Sequence, residues 1–231
     1  MKKTLLVVFA FASVSLCAAQ GITVLRIQGD VRVRHGVMEQ WTGVAVGDVL
    51  KPDDSMRTGL GGSAVVVAPQ SSGLKRIVLP QDVIVDIADI RDLTAEELML
   101  KLTMERVRGS SYKTNEDPLV PNASVVHGAN RSSGAVPEMP EHGGVPEWNG
   151  ARVLFDNGFY STCALRGMEL LRLFPSSQNS FDDRFLVAQA MERAKLRGEA
   201  LNEYTTILGM ANLSTGQQST VRSRMSTLQN H

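Results

Sequence analysis

The spacing of apolar residues changes once along this chain, and that change limits which folds the chain can adopt. Before residue 92 the apolar residues come in short runs, and Val31–Arg34 alternates with the period of two that a half-buried strand requires. After residue 151 they recur at spacings of three and four, as they do along one face of an α-helix. The sequence therefore predicts an α+β chain of two modules, an all-β module followed by an α-helical one.

The all-β module is predicted to consist of many short strands. Glycine and proline residues interrupt its apolar runs every few residues, which is typical of turns between strands. The β-branched run at 64–68 predicts a strand that is buried on both faces. The apolar runs predict strands at 22–25, 31–34, 44–46, 64–68, 76–79 and 83–87.

The segment that follows these strands fits two structures. Every second residue from Leu98 to Met104 is apolar, which favours a strand. Thr94 and Glu97, however, have the spacing of a capping box, and most of the residues that follow are good helix formers. We expect a helix over 95–107, with a strand as the alternative.

A segment rich in proline, glycine and serine separates the two modules. Residues 114–149 carry too little apolar surface to offset the entropy that a chain loses on becoming ordered. They are therefore predicted to be a linker, apart from a short run at 124–127 that could be a strand returning to the β module.

The helical module, residues 151–231, is predicted to contain two helix pairs and a final helix. Gly158 interrupts the first pair and Pro175 ends it, while Gly198 interrupts the second pair. The sequence at 214–217 has the spacing of a second capping box, which predicts that the final helix begins there.

The N-terminus is predicted to be a signal peptide. Two lysines precede the apolar run at 5–16, and the small residues at 17–19 suit a signal peptidase. The run is shorter than the roughly 20 residues that span a bilayer. We expect cleavage after Ala19, which removes residues 1–19 and leaves a periplasmic or secreted protein with no membrane span. Lipidation of Cys17 is the alternative.

Composition argues against several classes of function. The chain has 24 basic and 24 acidic residues, so it lacks the positive charge with which proteins bind nucleic acid or anionic lipid. Once the signal is removed, Cys163 is the one remaining cysteine, and no spacing of cysteines and histidines matches a zinc site. No nucleophile and base stand in a recognisable pattern. We therefore predict no enzymatic activity, no cofactor and no metal.

Several short motifs stand in a particular order along the β module. They are Trp41, Gly-Asp-Val-Leu at 47–50, Asp54, Arg-Thr-Gly at 57–59 and Ser-Ala-Val-Val-Val at 63–67. In this order they resemble the FecR domain family of bacterial envelope proteins, over about residues 21–90. The resemblance implies a compact, short-stranded, solenoid-like β domain at residues 20–113, and it supplies no catalytic residues.

The helical module carries small and aromatic residues at regular places. Residues 151–160 look like a first helix with its Gly-aromatic turn, and 188–208 look like a second copy. This pattern resembles tetratricopeptide repeats, in which each unit is a hairpin of two helices. The resemblance implies α-helical hairpin repeats whose concave groove binds a peptide or a protein surface.

Together these features predict a non-enzymatic adaptor of the cell envelope. The helical repeats are expected to hold an envelope protein, and the β domain is expected to contact another envelope component. Binding of peptidoglycan or another cell-wall glycan is one alternative, and an accessory role in an envelope signalling system is another. Trp148 is expected to dock the two modules together. The candidate partner-binding residues are Trp41, Trp148, Tyr160 and Tyr204.

Overall fold

The computed structural model describes residues 21–71, 73–111 and 143–230, which fold into an α+β structure. The signal peptide, the possible strand at 124–127 and most of the predicted linker lie outside these residues. Within the described ranges, none of the helices combines the length and the apolar surface needed to cross a lipid bilayer.

The β part consists of two antiparallel sheets of four strands each. The strands are β1 (Ile22–Gln28), β2 (Val31–Arg34), β3 (Thr42–Gly43), β4 (Val49–Leu50), β5 (Ser55–Thr58), β6 (Ser63–Gln70), β7 (Gly73–Leu79) and β8 (Val83–Asp86). Sheet A has the strand order β4-β1-β6-β7, and sheet B has the order β3-β2-β5-β8.

One face of each sheet is buried, because alternate residues along the strands are apolar. Val24 and Val66 of sheet A and Val33, Met56 and Val85 of sheet B are at most 2% exposed, and all belong to one hydrophobic core. Burying a side chain of this size contributes about 2 kcal/mol to folding. The two inner faces therefore hold the sheets together.

One predicted strand is absent from the structure, and three short strands, β3, β4 and β5, were not predicted. The prediction of a strand at 44–46 is wrong, because the chain turns there and Gly47 takes a φ of +96° before β4 begins. Strand β5 was missed because Met56 is its one large apolar residue. Its buried Thr58 is compatible with the core because the hydroxyl donates a hydrogen bond to the carbonyl oxygen of Pro80 (2.6 Å).

Six α-helices follow the sheets in the described residues. They are α1 (Ala95–Ser111), α2 (Val145–Asp156), α3 (Tyr160–Leu173), α4 (Phe181–Arg193), α5 (Arg197–Leu208) and α6 (Thr215–Gln229), with 3₁₀ turns at Ile87–Asp89 and Pro175–Asn179.

Helix α1 confirms the helix predicted over 95–107 and extends it to Ser111, so the strand alternative is wrong. The backbone N–H of Glu97 donates to Thr94 Oγ1 (3.2 Å), which is one half of the predicted capping box. The other half is absent, because the Glu97 carboxylate accepts hydrogen bonds from the Arg91 guanidinium instead.

Helix α2 begins at Val145, inside the segment that was predicted as a linker over 114–149. Pro146 lies in its first turn, where the missing N–H of proline leaves no hydrogen bond unmade. The linker prediction is therefore wrong for residues 145–149. These residues are ordered because Trp148, only 2% exposed, contributes to the core of the helical part.

The second helix pair is interrupted at 194–196 rather than at the predicted Gly198, which lies in the first turn of α5. Lys195 ends α4 by adopting a left-handed φ of +63°. Helix α6 confirms the predicted final helix. The N–H of Gln217 donates to Ser214 Oγ (3.2 Å), and the N–H of Ser214 donates to Gln217 Oε1 (2.9 Å).

Helix α2 packs directly against β8, so the β and helical parts are in contact. Gly150 approaches the strand so closely that a Cβ atom there would lie 1.9 Å from the carbonyl oxygen of Ile84. Beside it, Asn149 Nδ2 donates to the carbonyl oxygen of Asp82 (2.8 Å). The docking role expected of Trp148 therefore belongs to the two residues that follow it.

A polar network strengthens this contact between sheet B and the helices. Arg166 on α3 forms an ion pair with Asp86 at the end of β8 (3.1 Å), and the Ser55 hydroxyl donates to the same carboxylate (2.6 Å). Further along α3, Arg172 pairs with the buried Glu105 of α1 (2.8 Å). Ion pairs thus connect helix α3 to strand β8 and to helix α1.

Candidate functional site

Two of the four predicted partner-binding residues are buried inside the helical part. Trp148 is 2% exposed, and its indole Nε1 donates to Ser177 Oγ (2.8 Å). Tyr204 is 0% exposed, and its hydroxyl donates to Glu192 Oε2 (2.7 Å). Neither side chain is accessible to a partner in this fold, which corrects the expectation that they form a binding surface.

Trp41 and Tyr160 remain partly exposed, but neighbouring side chains cover them. The guanidinium carbons of Arg34 and Arg57 lie 5.1 and 5.4 Å from the centroid of the Trp41 ring, within the range of cation–π contacts. The ring of Tyr160 meets that of Phe155 edge to face, with centroids 5.3 Å apart. One residue lies beside sheet B and the other in α3, so the structure does not bring the four aromatic residues together.

An extended apolar surface lies on the outer face of sheet A. The strand register places Thr23 beside both Val49 and Val67, and Val65 beside Val78. We call this surface the sheet A platform. Its apolar residues are Leu25, Val49, Val65, Val67, Pro69, Leu74 and Val78.

The platform is open to solvent. Leu74 is 80% exposed, Val78 57%, Val49 56% and Leu25 42%. A shallow groove of about 570 Å³ runs between Leu25 and Leu74. Antiparallel sheets usually place polar residues on a face that meets water. A contiguous exposed apolar patch instead marks a surface that contacts another molecule.

The platform also explains an incorrect prediction. The run at 64–68 was predicted to be buried on both faces, but Val65 and Val67 remain partly exposed because no described part of this chain covers them. The prediction is wrong for the chain alone. The same β-branched composition is the signal in the sequence that could have identified the platform.

Two arginines are the charged residues of the platform. Arg26 lies beside Val65, and Arg76 lies beside Val67. Both are exposed, and neither side chain makes a hydrogen bond or an ion pair with the described residues. The platform is therefore apolar with positive charge, and none of its residues is acidic.

A second feature is a cleft of about 280 Å³ between α1, α3 and the 3₁₀ turn at Ile87–Asp89. Six charged side chains line it: Asp89 from the turn, Lys101, Glu105 and Arg108 from α1, and Arg166 and Glu169 from α3. Nothing in the sequence marks these residues as a group, because they come together only when the two helices pack against the turn.

Asp89 is the unusual group in the cleft. Burial is the main cause that raises the pKa of its carboxyl from 3.8 to about 7; the carboxylates of Asp86 and Glu169 act in the same direction, and Arg166 and Lys101 oppose them. The Asp89 carboxyl therefore changes its charge near neutral pH.

One histidine of the described residues lies beside a buried aspartate next to strand β5. His35 Nδ1 lies 2.9 Å from Asp54 Oδ1, and the second oxygen of Asp54 accepts the N–H of Lys51 (2.8 Å). The neighbouring Ser55 hydroxyl donates to Asp86 rather than to the histidine. Across the described part of the chain, no three histidine, cysteine, aspartate or glutamate side chains are grouped to hold a metal ion.

Cys163 is a packed core residue. It is 0% exposed, its Sγ lies 3.3 Å from the carbonyl oxygen of Ala151, and burial raises the pKa of its thiol from 9.0 to about 12. The thiolate, which is the reactive form, is therefore scarce at neutral pH.

We predict that Cys163 in the folded protein reacts with iodoacetamide at least about a thousandfold more slowly than a free cysteine, because both its thiolate fraction and its accessibility are low. Alkylation followed by mass spectrometry, with and without denaturant, measures this ratio. Equal rates in the two conditions would contradict the buried placement of the thiol.

No protein-family model matches this chain, and neither a curated protein nor a solved structure shows significant similarity to it. The FecR-like and tetratricopeptide-like resemblances therefore stay predictions from the sequence. The platform and the charged cleft are the features on which a function can be argued.

Proposed function

We propose that this protein is a non-enzymatic adaptor of a bacterial cell envelope that binds a protein partner through the sheet A platform. The observation that carries the proposal is an apolar sheet face that the described chain leaves open, with Leu74 80% exposed. Covering about 400 Å² of such surface contributes about 10 kcal/mol, before the costs of association are subtracted. A protein partner with an apolar surface supplies that cover.

The charges of the platform define the chemistry of the partner. Arg26 and Arg76 stand without acidic neighbours at its surface, so a partner that carries carboxylates beside its apolar surface complements them. A second copy of this chain, stacked face to face about a two-fold axis, would bring two positively charged surfaces together. A protein of different sequence therefore fits the platform better than a second copy does.

The FecR-like and tetratricopeptide-like assignments belong to the same proposal. The helices pack against β8 of sheet B and leave the platform of sheet A uncovered. One chain can then contact two components, one on the platform and one in the groove of the helical repeats. Export by the predicted signal peptide would place both contacts in the cell envelope.

Replacing Leu74 and Val78 together by lysine is expected to reduce capture of the partner at least tenfold. The reason is that each substitution removes apolar contact and places an unpaired ammonium group in the interface. The measurement is quantitative crosslinking to envelope fractions of cells that express the chain, followed by mass spectrometry of the captured protein.

The matched control is Leu60→Lys, because Leu60 is 84% exposed but lies in a turn outside the platform. Unfolding midpoints of all variants establish that the fold is intact. A partner that the double variant and the control capture equally well would contradict the proposal. Capture of cell-wall glycan alone, unaffected by the double variant, would favour the glycan alternative.

A further inference from the structure

The charged cleft is built from three parts of the chain that are distant in sequence. Asp89 comes from the turn after β8, Lys101 from α1, and Arg166 from α3. Met104 and Leu165 add an apolar wall. A cleft of about 280 Å³ lies near the lower end of the size range of small-ligand sites, so its occupant is small.

Four of the six charged side chains already have partners. Arg166 pairs with Glu169 (2.8 Å), and it also pairs with Asp86 beside the cleft (3.1 Å). Glu105 pairs with Arg108 (3.3 Å) and with Arg172 (2.8 Å). Their charges are therefore balanced inside the protein.

Asp89 and Lys101 are the two that remain. Neither side chain makes a hydrogen bond or an ion pair with any described residue, although Asp89 lies in the field of Arg166 and Lys101, and Lys101 in that of Asp89 and Glu97. Asp89 is half-buried on the wall of the cleft, where protein surrounds its carboxyl but no described residue hydrogen-bonds to it. The cleft therefore presents two opposite charges, the Asp89 carboxylate and the Lys101 ammonium group, that no ion pair within the protein uses. A bound ligand can contact both.

We propose that this cleft binds a small zwitterion of amino-acid size, whose ammonium group contacts Asp89 and whose carboxylate contacts Lys101. The apolar wall of Met104 and Leu165 receives the side chain of the ligand. Arg108, whose side chain is 58% exposed, lies at the mouth, where it attracts the carboxylate. This site is separate from the sheet A platform and does not depend on the partner proposed for it.

The ionisation of Asp89 makes binding depend on pH. An ammonium group binds the charged carboxylate, and with a pKa of about 7 the charged fraction rises steeply through neutral pH. The charged groups that face Asp89 are Asp86 from β8, Lys101 from α1, and Arg166 and Glu169 from α3. Affinity is expected to increase about tenfold between about pH 6 and about pH 8.

Three related probes test the two contacts separately. L-leucine carries both charges, isopentylamine carries only the ammonium group, and 4-methylpentanoate carries only the carboxylate. Isothermal titration calorimetry on the full chain at millimolar ligand concentrations is expected to show leucine binding at least tenfold more tightly than either analogue, since each analogue loses one charged contact. Equal binding of isopentylamine, or no leucine binding at about pH 8, would overturn the proposal.

Variants then assign the contacts to residues. Asp89→Asn and Lys101→Met are each expected to weaken leucine binding at least tenfold, and Asp89→Asn is also expected to remove its pH dependence. The controls are Asp92→Asn and Lys51→Met, which alter exposed residues outside the cleft. Circular dichroism of every variant verifies folding. Unchanged leucine binding in folded Asp89→Asn or Lys101→Met protein would refute the assignment.

Discussion

Replacing Gly150 by alanine is expected to destabilise the protein by about 3 kcal/mol or more, although alanine is the better helix former. A methyl group at this position would lie 1.9 Å from the carbonyl oxygen of Ile84 and 3.0 Å from its carbonyl carbon. Both atoms belong to the backbone of β8, so no side-chain rotation can relieve the clash. Helix α2 must move away from the strand, which also breaks the hydrogen bond from Asn149 to Asp82.

Urea denaturation measures this effect directly as a change in the free energy of unfolding. Gly198→Ala is the matched control, because Gly198 is also helical but a Cβ there would meet no atom within 4 Å. That substitution is expected to stabilise the protein by about 0.5–1 kcal/mol. If both variants gained stability alike, the close contact between α2 and β8 would be disproved.

The second large effect concerns the pH dependence of stability. Asp89→Asn is expected to leave stability unchanged at about pH 3 and to raise it by up to roughly 4 kcal/mol at about pH 8, because the pKa of Asp89 rises from 3.8 to about 7 on folding. Asparagine has nearly the same shape as the protonated carboxyl and never ionises.

The direction of this effect follows from where the protons are bound. Between about pH 4 and about pH 7 the folded state keeps the proton on Asp89 while the unfolded state has lost it. The contribution of this group to stability is therefore fully present below the unfolded pKa and is lost as the pH rises through the folded pKa. Asparagine does not ionise, so the variant does not lose this stability as the pH rises.

Denaturant titrations of the wild-type chain and of Asp89→Asn at several pH values measure the difference. Asp92→Asn is the control, because Asp92 is exposed and lies just beyond the same turn. The stability of Asp92→Asn and that of the wild-type chain should change with pH in parallel. A wild-type protein whose stability relative to Asp89→Asn does not change with pH would show that the carboxyl is not buried as described.

An aspartate that weakens the fold near neutral pH is more easily understood at a binding site than in a structural role. Groups that lower stability tend to occur where a protein binds or reacts. A ligand ammonium group beside Asp89 would stabilise the charged carboxylate, which burial has deprived of water. Leucine should therefore also raise the unfolding temperature of the wild-type chain, but not that of Asp89→Asn.

Much of the local structure could be predicted from the sequence. Alternation at Val31–Arg34 predicted a strand, and the Ser-Thr-Gly-Gln sequence at 214–217 predicted the start of α6 with both of its capping hydrogen bonds. These features depend on residues within a few positions of one another. The errors came where the local signal was weak, as in β5; at α1, where two signals competed, the predicted helix is confirmed.

The sequence by itself determined most of the strands and helices and the change from one to the other, since backbone preferences, caps and apolar periods act over a single turn or strand. Only the tertiary structure decided which surfaces stay open. The composition of residues 64–68 suits a strand that is buried on both faces, yet the described chain covers only one face of it. The register of the four strands of sheet A places the uncovered side chains next to one another, and these form the platform. The cleft likewise exists because α1 and α3 pack beside Asp89. Its residues are far apart in the sequence, so no local pattern predicts that they meet.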